Sequence, residues 1–572
     1  MNGIWEPTGA QQELINSEGS RFVEACPGSG KTKAIVARYE RLAGAAQRRG
    51  IALLSFTNAA VDEVTARCSD PAVLAPPNFV GTFDSFINRF VTGPYTASTL
   101  GSYPRFIDSW GSIPGATVRT ATMQQGIEFE LDWFDWNDAG EFELDEQRVS
   151  GQYKGALLTA YRSAPAAIDG IAENRRRQLI KERLIISCAA SRHIAMRLLS
   201  DDATRATWRK LLSSRFSEII VDEAQDCGAE ELRVLQAALD DDVDVTMVAD
   251  LDQAIYEFRR ARPDDVRSFA GQLPQGTSLT GNFRSSAAIC LVSGMLRVGA
   301  HQDEAIGPNQ TNNWPVRVIE FASLGDVAPV IRDVLSEHEL SVDDCKVLAH
   351  RRRDAASASG AAMSTSTAGH KMLRIARAHL VLRADPDPAN WRRAVNGIER
   401  LLAEVASPPG STDLDHITTL TERLGVSDRW LRSAAVRVLH GAKPEIGRTD
   451  YTLEVRRIVQ GLDWPNSVAF TNMNHQLSTP PQARWDELAI DPPVSIPWGT
   501  IHSVKGQEFE AVALVIPQQL MPDADGRTCL DLWEEGIDGE SRRVLYVGAT
   551  RARRLLIVAT HTGQADRVRH LL

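Results

Sequence analysis

The chain holds 572 residues with a formal net charge of -11; 43% are hydrophobic and 24% charged. That length exceeds what one hydrophobic core supports, so two to four folding units are expected, and the composition is that of a globular protein. The acidic balance excludes a positive field over the whole surface, so any nucleic-acid path must be locally basic.

At the N-terminus, Met1-Asn-Gly-Ile-Trp-Glu-Pro7 lacks both a basic n-region and an apolar h-region, and no apolar run approaches membrane-spanning length. A cytoplasmic protein with no membrane contact is expected. Seven cysteines are scattered without a C-x-x-C pair, which argues against zinc ribbons, iron–sulfur clusters and a disulfide framework.

From residue 21 to about 90 the pattern alternates strand and helix. Arg21-Phe-Val-Glu24 reads as a strand and leads into Ala25-Cys-Pro-Gly-Ser-Gly-Lys-Thr32, a glycine-rich turn that opens a helix. This is the pattern of a phosphate-binding loop. Ala25, Cys26, Pro27, Gly28, Ser29 and Gly30 wrap a phosphate, Lys31 reaches the terminal phosphates, and Thr32 reaches a magnesium ion. Ala25 stands where G-x-x-x-x-G-K-S/T has its first glycine, while Gly28 and Gly30 keep the turn free of side chains. For the loop alone, a strand-to-helix turn of no chemical use is the alternative.

Residues 51–56 read as a second strand, with a helix from about 59, and such alternation implies a parallel sheet covered on both faces. From about 91 to 175 the pattern loosens around the acidic aromatic segment Phe129-Glu-Leu-Asp-Trp-Phe-Asp-Trp136, which reads as an insertion. Strands resume at 219–221 before Asp222 and at 243–249 before Asp250. In an open parallel sheet, ligands gather at the carboxyl ends of strands. Asp222 then fits the acid that holds magnesium, and Glu223 the base or orienter for an attacking water. An acidic pair by itself is more often only a loop.

A second α/β set begins near 277, with strands at 316–321 and 346–349. Residues 354–497 are helical in pattern, over 371–382, 391–402, 430–439 and 452–462, before strands return at 512–516 and 555–559. Inside that stretch, residues 420–431 have helix-turn-helix spacing, with Gly425 at the turn and Ser427 as a cap; an αα hairpin is the alternative. Locally basic clusters are Arg175 to Arg177, Arg351 to Arg353, and Arg542, Arg543, Arg551, Arg553 and Arg554. For the first, arginines paired with neighbouring acids are the expected reading.

Taken together these segments resemble the superfamily 1 helicases of the UvrD/PcrA/Rep type. Pro7-Thr-Gly-Ala-Gln11 looks like the Q motif, which makes Gln11 an adenine-edge contact. Ser55-Phe-Thr-Asn-Ala-Ala60 resembles F-T-N-K-A-A without its Lys, implying that Phe56, Thr57 and Asn58 lie along single-stranded DNA. Gly81-Thr-Phe-Asp-Ser-Phe86 resembles T-x-H-S-F with Asp84 for His. Val248-Ala-Asp-Leu-Asp-Gln-Ala-Ile-Tyr-Glu-Phe-Arg-Arg-Ala261 resembles G-D-x-x-Q-S-I-Y-x-F-R-G-A, giving Gln253 the terminal phosphate, and Tyr256 and Phe258 the stacking of bases. Two core aromatics are the alternative for that pair. Ser278-Leu-Thr-Gly-Asn-Phe-Arg-Ser285 looks like N-Y-R-S, with Phe283 on adenine and Arg284 on the terminal phosphate. Thr500-Ile-His-Ser-Val-Lys-Gly-Gln-Glu-Phe509 resembles T-x-H-x-x-K-G-L-E-F, giving Thr500 and His502 to DNA and Glu508 to the ribose. Arg542-Arg-Val-Leu-Tyr-Val-Gly-Ala-Thr-Arg-Ala552 resembles R-R-L-x-Y-V-A-x-T-R-A, making Arg551 an arginine finger.

The resemblance implies two RecA-like P-loop NTPase domains of α/β class, with parallel sheets and a mainly helical insertion in each. The domains fall at 1–90 with 176–276, and at 277–353 with 498–572; the insertions fall at 91–175 and 354–497. It further implies ATP and Mg²⁺ as cofactors, single-stranded or 3′-tailed DNA as partner, and movement 3′ to 5′. The compact frame, Asn78-Phe-Val-Gly-Thr82, Asn282-Phe-Arg284 and Leu348-Ala-His-Arg-Arg-Arg-Asp-Ala355 look most like the helicase-like subunits of Gabija anti-phage systems, which implies an OLD-type nuclease as partner. Arg260 for Gly, Val504 for Ala and Gln507 for Leu leave the phosphate chemistry intact and bear on DNA contacts and coupling. Two alternatives stand beside the translocase. One is an ATPase that senses DNA ends or nucleotides and regulates a nuclease with little unwinding; the other is a repair helicase.

Overall fold

The computed structural model describes residues 5–45, 48–113, 115–119, 128–137, 139–150, 154–255, 262–299, 303–361, 370–384, 388–406, 424–465, 473–486, 488 and 495–572. Contact density divides the chain into two compact units, Met1–Pro104 with Ala190–Ser359 and Ile496–Leu572, and Arg105–Ala189 with Gly360–Ser495.

The first unit holds two five-stranded sheets. One consists of β1 (Arg21–Glu24), β2 (Gly50–Ser55), β3 (Phe79–Thr82), β4 (Phe216–Val221) and β5 (Asp244–Ala249), in the spatial order β1-β5-β4-β2-β3. The other consists of β6 (Arg317–Phe321), β7 (Cys345–Ala349), β8 (Trp498–Thr500), β9 (Phe509–Ile516) and β10 (Ala552–His561), in the order β6-β10-β9-β7-β8. Every neighbouring pair in both sheets is parallel. Counted from its own first strand, each sheet has the order 1-5-4-2-3. These are the two RecA-like sheets that the motif order implied.

Alternation sorts the first core onto two faces, as a period of two requires. Val23, Leu53, Ile220 and Val248 face Ile35 and Tyr39 of the helix Lys31–Gly44, whereas Leu54, Ile219, Val221 and Met247 face Phe83, Phe86 and Leu235. With both faces covered, β2 is buried along its whole length, which explains its unbroken apolar run. A buried ion pair locks the first face. Arg38 donates to both oxygens of Glu218, at 2.8 and 3.1 Å, and to the Leu14 carbonyl at 2.8 Å, so the helix Gly9–Asn16 is fixed to the helix Lys31–Gly44 and to β4.

Within these two sheets, two strands were not foreseen from sequence, β3 and β8. Both are edge strands, four and three residues long, that contain a glycine and end at Thr82 and Thr500. A strand paired on one side needs no long apolar run, and these two stop where a helical turn begins.

In the second unit, Phe134–Trp136 pairs with Phe142–Leu144 in a small antiparallel ladder. Arg176 is 7% exposed, sits 5.0 Å over the Trp136 ring and binds Glu173; Arg175 donates to the Gly115 carbonyl at 2.7 Å, and Arg177 pairs with Glu173. That arginine triplet is therefore structural. The helices Lys371–Ala384, Pro388–Ala406, Asp428–Gly441 and Arg448–Gln460 share a core with Ile375, Leu401, Leu431, Val438 and Val455. Gly425 is left-handed at φ +66°, and Ser427 caps the next helix by accepting from the Trp430 amide at 3.2 Å. Residues 420–423, the start of the helix-turn-helix spacing, lie outside the described residues. Among the described residues no helix is long and apolar enough to cross a membrane.

Candidate active site

The linker between the two sheets shapes the phosphate loop. Its backbone follows β1 in parallel: Leu279 donates to the Glu24 carbonyl at 2.8 Å, Cys26 to the Leu279 carbonyl at 2.9 Å, and Phe283 to the Gly28 carbonyl at 2.9 Å. Gly28 adopts φ +70°, and a Cβ there would lie 2.6 Å from the Arg284 Cβ and 2.8 Å from the Asn282 Oδ1. Glycine is thus required both by conformation and by the approach of a second chain segment. Gly30, also at φ +70°, starts the helix Lys31–Gly44.

At the carboxyl end of β4, Asp222 accepts a hydrogen bond from the Thr32 hydroxyl at 3.2 Å, and Lys31 pairs with Glu223 at 2.8 Å. Glu223 itself is left-handed at φ +55°, which turns its carboxylate back toward Lys31. Gln225 bridges the two acidic strand ends, donating to Glu223 and accepting from the Asp250 amide at 3.2 Å. Next, Gln253 donates to Asp250 at 2.8 Å, which leaves its carbonyl oxygen to accept from Arg551 at 3.1 Å. Tyr546 also donates to Asp250, at 2.9 Å.

Arg551 immediately precedes β10, and Glu508 immediately precedes β9, so both stand at the amino end of the second sheet. Arg284 donates to Glu508 at 2.6 Å and to the Thr550 carbonyl at 3.1 Å. Lys505 of the second sheet's loop grips Asp226 of the first with both carboxylate oxygens, at 2.7 and 2.8 Å. Lys31, Thr32, Asp222, Glu223, Gln253 and Arg551 therefore form one bonded cluster, with Arg284 and Glu508 beside it. Gln11 is buried against the loop; its amide donates to the Ser29 carbonyl at 2.8 Å while its oxygen accepts from the Thr8 amide at 2.9 Å. Phe283 reaches within 4.0 Å of where a Gly30 Cβ would be.

Burial sets the charge states. Asp222 is pushed up by burial and by the Glu223 carboxylate, against Lys31. Burial works the same way on Glu223, but Lys31 and Lys505 overcome it and hold that carboxyl below its usual range. Lys31 is penalised by burial yet held above its ordinary value by Glu223 and Asp222. Arg551 is pushed down to about 9 by burial and by the neighbouring Arg284 guanidinium, so it carries its charge at neutral pH.

These residues fit a nucleoside triphosphate with magnesium. Ser29 is 2% exposed, and its hydroxyl, buried in the turn of the loop, has no hydrogen-bond partner among the described residues. A hard cation is suited by the Thr32 hydroxyl and the Asp222 carboxylate, which already converge.

The residues expected along DNA lie elsewhere. Phe56, Thr57 and Asn58 follow the carboxyl end of β2; Phe56 rests on Phe83 with ring centroids 5.3 Å apart, and Thr57 caps the helix Asn58–Arg67. Thr500 ends β8 and caps the turn Ile501–Val504 that carries His502. The His502 ring lies 5.5 Å from that of His350, which follows the neighbouring strand β7 and precedes Arg351, Arg352 and Arg353. Burial and His350 push His502 below its ordinary value. Tyr256 and Phe258 lie outside the described residues.

Sequence reasoning gave no role to Gln225, Lys505, Asp226, Tyr546 or Asn282. Lys505, Tyr546 and Asn282 stand inside motifs already quoted, and Gln225 and Asp226 lie within three residues of Glu223, but only folding reveals which partner each meets.

Residues 8–274 match the UvrD/REP helicase N-terminal domain, and residues 464–563 match the UvrD-like helicase C-terminal domain. The chain is 23% identical over 357 residues to the Gabija protein GajB of Bacillus cereus, covering 61% of this chain and 60% of that protein. It is 33% identical over 114 residues to an ATP-dependent helicase/nuclease protein of Exiguobacterium sibiricum, covering 18% of this chain and 10% of that one. The matches thus span less than two thirds of the length of either relative. Among solved structures, an arterivirus nonstructural protein 10 helicase aligns over 98% of this chain and 63% of its own, at 11% identity and a TM-score of 0.30, so the fold rests on the sheets themselves. Two matched domains in sequence order cover more than half of the residues, and the chain belongs to the UvrD/REP helicase family.

Proposed function

We propose that this chain is an ATP-dependent 3′ to 5′ translocase or helicase on single-stranded DNA. The observation that carries the reading is the meeting of two sheets at one phosphate loop: Lys31, Glu223 and Gln253 from the first, Arg284 and Arg551 from the second. Thr32 and Asp222 hold Mg²⁺, which neutralises phosphate charge when bound. Lys31 takes the terminal phosphates and releases Glu223, whose low proton affinity suits it to orient the attacking water by accepting a hydrogen bond. Arg551 stabilises charge developing on the transferred phosphoryl, while Gln253 reports its presence to the segment that leads on to residues 256–261. Gln11 and Phe283 hold adenine, and Glu508 the ribose.

DNA lies over Phe56, Thr57 and Asn58 on the first sheet and Thr500 and His502 on the second, with stacking on Tyr256 and Phe258. Cycles of hydrolysis that open and close the pair of sheets then become steps. We assign residues 1–90 with 176–276 and 277–353 with 498–572 to the two motor domains, and 91–175 and 354–497 to accessory insertions, in a cytoplasmic protein. In the test, ATP turnover rises with single-stranded DNA, and Lys31→Ala and Glu223→Gln abolish it. Turnover indifferent to DNA in the wild type overturns the translocase reading.

Similarity to a Gabija protein favours a second reading, an ATPase that senses DNA ends or nucleotides and controls a partner nuclease of OLD type. Strand displacement on 3′-tailed duplex separates the two: processive unwinding by the isolated chain defeats the sensor.

A further inference from the structure

Arg297 belongs to none of the motifs above, yet three carboxylates converge on it beside the site. It follows the helix Ala287–Leu296, which runs on from Arg284, and it is 4% exposed. Each of its three nitrogens takes a carboxylate from a different segment. Nε donates to Asp252 at 2.7 Å, Nη1 to Asp303 at 3.0 Å and Nη2 to Glu24 at 2.8 Å. Its guanidinium lies 5.9 Å over the Tyr546 ring, and its carbonyl accepts from Arg542 at 2.7 Å.

The partners' places in the chain give this arrangement its meaning. Glu24 ends β1 and is bonded directly to Ala25, the first residue of the phosphate loop. Asp252 is the residue before Gln253, in a turn whose further end carries Ile255, the backbone partner of His502. Tyr546 and Arg542 sit on the helix Glu540–Ala549 that ends just before Arg551. One planar fork therefore grips the approach to the phosphates and the turn that carries the phosphate sensor Gln253, from the end of a helix that starts three residues beyond Arg284. Lysine, a point charge with no fork, cannot satisfy three carboxylates in these fixed directions.

We propose that Arg297 is a positioning residue that couples the phosphate loop to the Gln253 turn, so that DNA contact and nucleotide occupancy are felt together. This rests on the translocase reading, and the test separates the two. The full-length protein is assayed for Mg-ATP turnover with and without an oligothymidylate, as wild type, Arg297→Gln, Arg297→Lys, Asp252→Asn and Glu24→Gln. Arg297→Gln keeps its unstimulated rate but loses about tenfold in DNA stimulation, the size of a typical coupling, and Arg297→Lys recovers part of it. Asp252→Asn and Glu24→Gln each lower stimulation, and together they do no more than either alone, because one hub serves both.

A folded Arg297→Gln with full stimulation overturns the proposal, as do stimulated and unstimulated rates that fall by the same factor, which is what a plain staple predicts. If Arg297→Gln does not fold, the isosteric Asp252→Asn and Glu24→Gln decide, and additive effects overturn it. If DNA does not stimulate the wild type, the translocase reading fails; the hub is then read from the affinity of a fluorescent ATP analogue, where the same non-additivity supports it and additivity overturns it.

Discussion

Arg551 donates to Gln253 and to the Val547 carbonyl, so its place in the site depends on a planar fork. Arg551→Ala is expected to lower kcat by about 10³-fold with little change in nucleotide affinity, in keeping with the loss of an arginine finger. Arg551→Lys should rescue little, since one ammonium cannot both reach Gln253 and satisfy the Val547 carbonyl, to which Arg551 Nε donates at 3.0 Å. Single-turnover ATP hydrolysis checks both. Asp222 gives a pH signature. Its folded pKa is raised, so it binds a proton at mildly acidic pH where an ordinary aspartate stays ionised, and a protonated carboxyl is a poor Mg²⁺ ligand. As pH falls below that pKa, the Mg²⁺ needed for half-maximal rate should rise about tenfold per unit. Titrating Mg²⁺ between neutral and mildly acidic pH measures it.

At the scale of elements, the Arg38–Glu218 pair fixes the helix carrying Gln11 to the helix carrying Lys31, and both side chains are nearly fully buried. Arg38→Ala strands the Glu218 charge in the core and should cost about 3–5 kcal/mol, read as an earlier midpoint in denaturant. The inner strands of each sheet were legible in sequence because burial on both faces writes them as continuous apolar runs, as at Ile219 to Val221. Edge strands β3 and β8 were not, since pairing on one side asks only for three or four residues. The meeting of side chains at the loop was legible too: Lys31 and Thr32 follow from its spacing, and Asp222 and Glu223 from the end of the strand before them. Arg297, Arg38 and Lys505 were hidden because each acts through partners more than a hundred residues away in at least one contact, and no local period records such a meeting. Arg351, Arg352 and Arg353 follow His350, whose ring lies beside that of His502, just past β7, the strand next to β8. Replacing Arg351, Arg352 and Arg353 with alanine should weaken single-strand binding evenly across sequences and flatten its log–log salt slope by about 2, at about 0.7 per lost phosphate contact.

For the whole molecule, the shared strand order implies a timetable of synthesis. In each sheet the last strand made is the second in space: β5 slots between β1 and β4, and β10 between β6 and β9. On the ribosome, β1 is complete at Glu24 but waits for its neighbour until Ala249 emerges, and β6 is complete at Phe321 but waits until His561. First β1 and later β6 is thus left without its neighbour while a long stretch of chain is made, a state prone to mispairing. Arg551 sits at the mouth of β10, so the cluster around Lys31 is completed only once that strand is made. A chain stopped after residue 551 should be digested rapidly by added protease and turn over no ATP. Copies that stop short of β10 are then inert, and none can consume fuel before that strand is in place.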